Sequence, residues 1–156
     1  MTIGRAVIEI RRYRDEDRGA TALLWMASWR STGLAVALEP AEAELYAHSY
    51  QRIARELAAG WVVHLAWDDS RLVGFLALKP QAGCLDQIFV LPEAQGTGVG
   101  RALLDFAKDR LPNGMWLHTA VDNTRACRFY ERAGFTRGEI ETHPVLGHLT
   151  VIYRWP

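Results

Sequence analysis

The chain has 156 residues, 49% hydrophobic and 23% charged, enough to bury a core and too apolar for a disordered or fibrous protein. Lys plus Arg and Asp plus Glu both number 18, so the formal net charge is zero. That balance argues against a whole-surface nucleic-acid role, since such affinity rests on a positive excess, and no nucleic-acid partner is expected.

In chain order, Val7 to Tyr13 alternates apolar and polar residues and predicts a first strand. Asp15 to Asp17 offers N-cap chemistry for a helix to about Trp29, and Glu39-Pro40 opens a second helix over 41–59, closed by Gly60. Trp61 to Trp67 and Leu72 to Leu78 flank the polar turn Asp68 to Arg71 and predict a hairpin. Leu85 to Leu91 is a third strand of this meander, ended by Pro92. A glycine-rich stretch leads into a helix from Val99 to Leu111, and Pro112-Asn113-Gly114 separates it from a strand at Met115 to Val121. A helix over Asn123 to Ala133 stops at Gly134, and strands at Phe135 to Thr142 and Leu149 to Trp155 finish the chain.

The order β-α-α-β-β-β-α-β-α-β-β is neither doubly wound nor all-β. It predicts an α/β fold, a mixed sheet with helices on both faces, as one domain over 1–156. Cys84 and Cys127 form no CxxC pair and mark neither a metal site nor a disulfide framework. The start MTIGRAVIEIRR has no signal-peptide run, and no stretch approaches the ~18 apolar residues of a membrane span. A cytoplasmic protein without metal or membrane partner is expected.

Glycines 96, 98 and 100 leave the backbone bare between a strand and a helix, where successive N–H groups and the helix dipole favour an anion. A P-loop would need Gly-Lys-[Ser/Thr], but Gly100 is followed by Arg101-Ala102. A dinucleotide fingerprint would put a third glycine at Arg101 or Leu103. Later, Asn123 is a good N-cap, while Ala126, Phe129 and Ala133 share a helix face.

Gln95-x-x-Gly98-x-Gly100 after Val90-Leu91-Pro92-Glu93 resembles motif A of the GCN5-related N-acetyltransferase (GNAT) family. Asn123-x-x-Ala126-x-x-Phe129-Tyr130-x-x-x-Gly134-Phe135 is similar to its motif B at every fixed position. The resemblance implies a GNAT-type fold and acetyl-CoA as co-substrate. It implies cofactor contacts from the main chain of Phe89, Val90 and Leu91, from the loop Gln95, Gly96, Thr97, Gly98, Val99, Gly100 and Arg101, and from Asn123 and Ala126. It implies that Tyr130 lies at the thioester sulfur and protonates the leaving thiolate, either with a lowered pKa or by hydrogen bonding.

A protonated amine must lose its proton before it can attack a thioester, so a base is needed. Asp86 on the strand before motif A and His118 on the strand before motif B are the candidates. Strand alternation puts Asp86, Ile88 and Val90 on one face. The expected activity is N-acetylation of a small-molecule or peptide amine by direct attack in a ternary complex. The alternative is a non-catalytic acyl-CoA-binding module on the same fold. In this family the first two helices and their loop shape the acceptor pocket, here including Trp25, Trp29, Glu39, Tyr46, His48 and Tyr50. Members are often dimers, which points to strands 135–155 as a contact between copies.

Overall fold

The computed structural model describes residues 7–31 and 42–156, with the side chains of 28–31 and 42 outside that description. The expected start of the second helix at Glu39-Pro40, and with it Glu39 and the Trp29 side chain of the expected acceptor pocket, lie outside the described residues.

The strands are β1 (Ile8–Arg12), β2 (Val62–Asp68), β3 (Arg71–Lys79), β4 (Cys84–Val90), β5 (Met115–Ala120), β6 (Thr136–Thr142) and β7 (Leu149–Trp155). The helices are α1 (Arg18–Ser31), α2 (Glu42–Ala58), α3 (Val99–Arg110) and α4 (Thr124–Arg132). One sheet has the order β1-β2-β3-β4-β5-β7-β6. All neighbours are antiparallel except β4 and β5, which α3 connects as a parallel crossover. The expected mixed sheet and element order are therefore present.

Two local expectations differ. Asp15 to Asp17 does not cap α1 but forms its own 3-10 turn, in which the Asp17 carboxylate accepts from the Arg14 N–H at 2.9 Å. Short acidic side chains compete well for backbone donors, and here they reach back rather than forward. In addition, β3 and β4 slip register: Ala77 faces Gln87 while Leu78 faces Leu85, which leaves Asp86 as the extra residue of a bulge.

Apolar side chains fill both sides of the sheet. On one side Leu76, Leu117 and Tyr153 of the sheet are fully buried with Leu103 and Leu104 of α3. Trp25, Ile53, Leu65 and Phe75 are buried under α1 and α2. Burial of each large side chain contributes about 1.5–3 kcal/mol. The α1–α2 layer lies over β1 to β4 and leaves the same face of β5 open, where Trp116 is half-buried and His118 is exposed.

Candidate active site

Parallel β4 and β5 are joined at a single register, Cys84 with Trp116, and then diverge. A gap therefore opens in the middle of the sheet, widening toward the C-terminal ends of both strands. Beyond it stands the loop that leads into α3.

That loop is held by its own polar groups. Pro92–Ala94 forms a 3-10 turn, the Gln95 side chain donates to the Val90 carbonyl at 3.2 Å, and the Thr97 hydroxyl donates to the Ala94 carbonyl. Gly98 is the N-cap residue of α3 with φ of 97°, a conformation that only glycine adopts cheaply. It offers no capping side chain, so the first N–H groups of α3, from Gly98 to Arg101, have no intrahelical acceptor. The contrast with α4 is direct. There the Asn123 side-chain oxygen, Oδ1, accepts from the Ala126 N–H at 3.2 Å and closes the helix end. One helix start is sealed; the other is open to an anion.

The expected site residues divide accordingly. Gly96, Gly98 and Gly100 belong to the open end, with only main-chain donors to offer. The Val99 side chain is 1% exposed and is core, so only its N–H is available. A Cβ on Gly100 would lie 3.4 Å from Phe129 and 3.6 Å from Val90, so this glycine keeps the groove between α3 and α4 narrow. Arg101 is exposed and engaged by Asp105 at 3.1 Å. The Phe89 ring packs among Trp25 and Phe75 on the α1–α2 side, and Asn123 and Gln95 spend side-chain groups on the protein itself.

The two candidate bases stand on opposite lips of the gap, each two residues past the last paired register. The bulge overturns the expectation that Asp86 shares a face with Ile88 and Val90. Those two pack toward α3 and α4, whereas Asp86 accepts from the Trp61 indole N–H at 2.6 Å on the α1–α2 side. Lys79 lies 3.5 Å from Asp86 and 3.5 Å from Glu56, and Arg52 lies 3.9 Å from Glu56. Asp86 is thus a paired carboxylate in a network that ties α2 to β3 and β4. His118, on the opposite lip and the same sheet face, has its ring stacked on Trp116 at 6.0 Å and is otherwise exposed. Trp61 and Lys79, the partners of Asp86, carried no signal in the sequence, since Trp61 stands 25 positions away.

Tyr130 reaches in from α4, packed against Phe129, Phe135 and Tyr153, and is 6% exposed. Its hydroxyl makes no hydrogen bond among the described residues. Burial, with the nearby Cys127, pushes its pKa well above the ordinary tyrosine value. Burial thus works against a lowered pKa, one of the two expected ways for Tyr130 to act. Cys127 is buried with its sulfur against the Ala120 and Val121 carbonyls, and burial beside Asp86 pushes the Cys84 thiol up to about 12. Neither thiol is placed as a nucleophile. Of the residues expected to shape the acceptor pocket, Trp25 is buried in the core and His48 is exposed on α2. Among the described residues no cluster of three or more His, Cys, Asp or Glu could hold a metal. No described helix is long and apolar enough to cross a membrane.

A mixed sheet split between two parallel strands, with an uncapped helix start at the mouth of the split, presents main-chain donors beside an open cleft. The acetyltransferase (GNAT) family model matches residues 20–135, and the chain belongs to that family. A mycothiol acetyltransferase of Streptomyces griseus is 42% identical over 86 residues, 49% of this chain and 28% of that protein. The chain spans about a third or less of the length of such mycothiol acetyltransferases. The peptidyl-lysine N-acetyltransferase YjaB of Salmonella typhimurium is 26% identical over 134 residues, 83% of each chain. Among solved structures, the PaiA N-acetyltransferase of Thermoplasma acidophilum in complex with coenzyme A superposes with a TM-score of 0.70 at 22% identity, covering 96% of this chain and 99% of that one.

Proposed function

We propose that the protein is an acetyl-CoA-dependent N-acetyltransferase of the cytoplasm, acting on an amine of a small molecule or peptide. The observation that carries this reading is the uncapped start of α3 beside the β4–β5 gap. Three features of the residues present fit the coenzyme: the outward N–H groups of α3, a Gly98 with no atom within 4 Å of where a Cβ would stand, and a strand edge left without its neighbour. When bound, acetyl-CoA supplies an acetyl group activated as a thioester.

The chain's own residues then divide the work. The N–H groups of Gly98 to Arg101 bind the pyrophosphate, and the main chain of Phe89 to Leu91 orients the pantetheine arm along the gap. Tyr130, kept neutral by burial, holds its O–H as a donor toward the sulfur and eases its departure by hydrogen bonding rather than full proton transfer. His118 receives the proton of the attacking amine, because its imidazole is exposed while Asp86 is committed to Trp61 and Lys79. Asp86 and its network hold β4 in its bulged course. The relative matched over most of both chains is a peptidyl-lysine acetyltransferase, which supports a lysine-like primary amine.

The test is thiol release from acetyl-CoA with a panel of lysine peptides, polyamines and small amines. Amine-dependent release that falls about a hundredfold in His118→Ala is expected. Tight binding of CoA with no release across the panel would instead indicate a non-catalytic acyl-CoA-binding module.

A further inference from the structure

The exposed side of α4 carries Arg125, Arg128 and Arg132 at spacings of three and four, which makes them one stripe. Among the described residues none of the three has a hydrogen bond, ion pair or ring contact. Their cationic neighbours are engaged: Arg101 with Asp105 at 3.1 Å, Arg154 with Glu139 at 2.7 Å, and Lys108 with the Ala133 carbonyl at 2.6 Å. The first arginine of the stripe is also placed against its own helix. Arg125 lies in the first turn of α4, which contains no acidic residue, and a cation there opposes the helix dipole. Like charges at this spacing repel one another as well. The dipole favours Arg132, in the last turn, but gives no reason for Arg125, and a ligand would.

Their position says which part of a ligand. Phe129 sits level with Gly100, 3.4 Å from where its Cβ would stand. Arg125 is one turn earlier in α4, at the end where α3 opens. Ala126, Tyr130 and Ala133 turn inward, so the arginines edge the outer side of the groove between the two helix starts. On the coenzyme reading above, the pyrophosphate occupies the start of α3. The 3′-phosphate is one ribose further out, a dianion for which the cation of the loop, Arg101, is already paired with Asp105. A guanidinium is suited to pair it bidentately.

We propose that Arg125 and Arg128 hold the 3′-phosphate of the coenzyme, so that the site distinguishes CoA from 3′-dephospho-CoA. Calorimetric titration of both compounds into the wild type, Arg125→Gln, Arg128→Gln and the double variant tests this, with melting temperature as the control for folding. The wild type should bind CoA about ten- to hundredfold more tightly than dephospho-CoA, the range of a charge-assisted hydrogen bond. The double variant should bind the two alike, at the wild-type affinity for dephospho-CoA. Arg132→Gln, about two turns from the helix start, should leave the ratio within about twofold. Equal binding of both compounds by the wild type, or discrimination that survives the double substitution, overturns the assignment while leaving the coenzyme reading intact. An equal loss in Arg132→Gln marks a diffuse field and overturns it too. If neither compound binds, both readings fall.

Discussion

Tyr130 combines two properties that rarely serve structure together: its ring is buried among Phe129, Phe135 and Tyr153, yet its hydroxyl has no partner among the described residues. The buried unpaired side-chain atoms among the described residues are the Tyr13 hydroxyl and His64 Nδ1, so the Tyr130 hydroxyl is not sealed in the core and can be reached by a ligand. Tyr130→Phe should therefore lower kcat by about a hundredfold or more, while CoA affinity stays within about twofold and the melting temperature does not fall. Stopped-flow thiol release and calorimetry check the two halves, and a variant that loses binding along with turnover contradicts the role. At this scale the sequence supplied residue identities but not directions. Tyr130 was legible through its motif. The direction of Asp86 was not, because alternation along β4 assumes an unbroken pleat and one extra residue at the bulge reverses it. The pairing of Asp86 with Trp61 and Lys79 depends on α2, β2 and β3 meeting, which no local pattern encodes.

Among the elements, α3 and α4 start at the same end of the molecule with opposite solutions to the same problem. α4 satisfies its first turn with Asn123, and α3 leaves its own to Gly98. Substitutions at the two caps should separate folding from binding. Asn123→Ala removes a cap and should cost about 1 kcal/mol of stability with CoA affinity little changed. Gly98→Ala places a Cβ at φ of 97°, should cost about 1–2 kcal/mol, and should also weaken CoA binding by displacing the outward N–H groups. Chemical denaturation and titration of both variants provide the comparison, and equal binding losses would remove the distinction. The open helix start was legible from glycine spacing, since little besides a bound anion rewards so much bare backbone. The start of α1 was not: Asp15 to Asp17 carries capping residues, but which backbone they serve is decided by the turn they make themselves.

Across the whole molecule, the two apolar layers are separated by a sheet whose one buried histidine is poorly provided for. His64 on β2 lies against the Phe106 ring at 4.6 Å, its Nδ1 is buried without a partner, and burial together with Arg110 and Arg12 lowers its pKa from the ordinary 6.5. The folded state therefore keeps His64 neutral where the unfolded chain would take up a proton. Above about pH 6.5 both states are neutral and nothing is lost; as pH falls below it, the unfolded chain gains the proton first and stability declines. Melting curves from pH 7.5 to 5 should show that decline, and His64→Leu should flatten it. An unchanged slope in the variant would place the pH sensitivity elsewhere.

The single register that joins β4 to β5 has a mechanical meaning. A sheet normally transmits force from strand to strand through its ladder, but here the meander β1 to β4 and the group β5 to β7 meet like two leaves bound at one stitch, with α3 and α4 as the spine. A molecule that hydrogen-bonds to both free edges completes the fabric. On the proposed coenzyme reading, occupancy of the gap and the stiffness of the sheet would be one quantity, and amide exchange along β4 and β5 is where it is read.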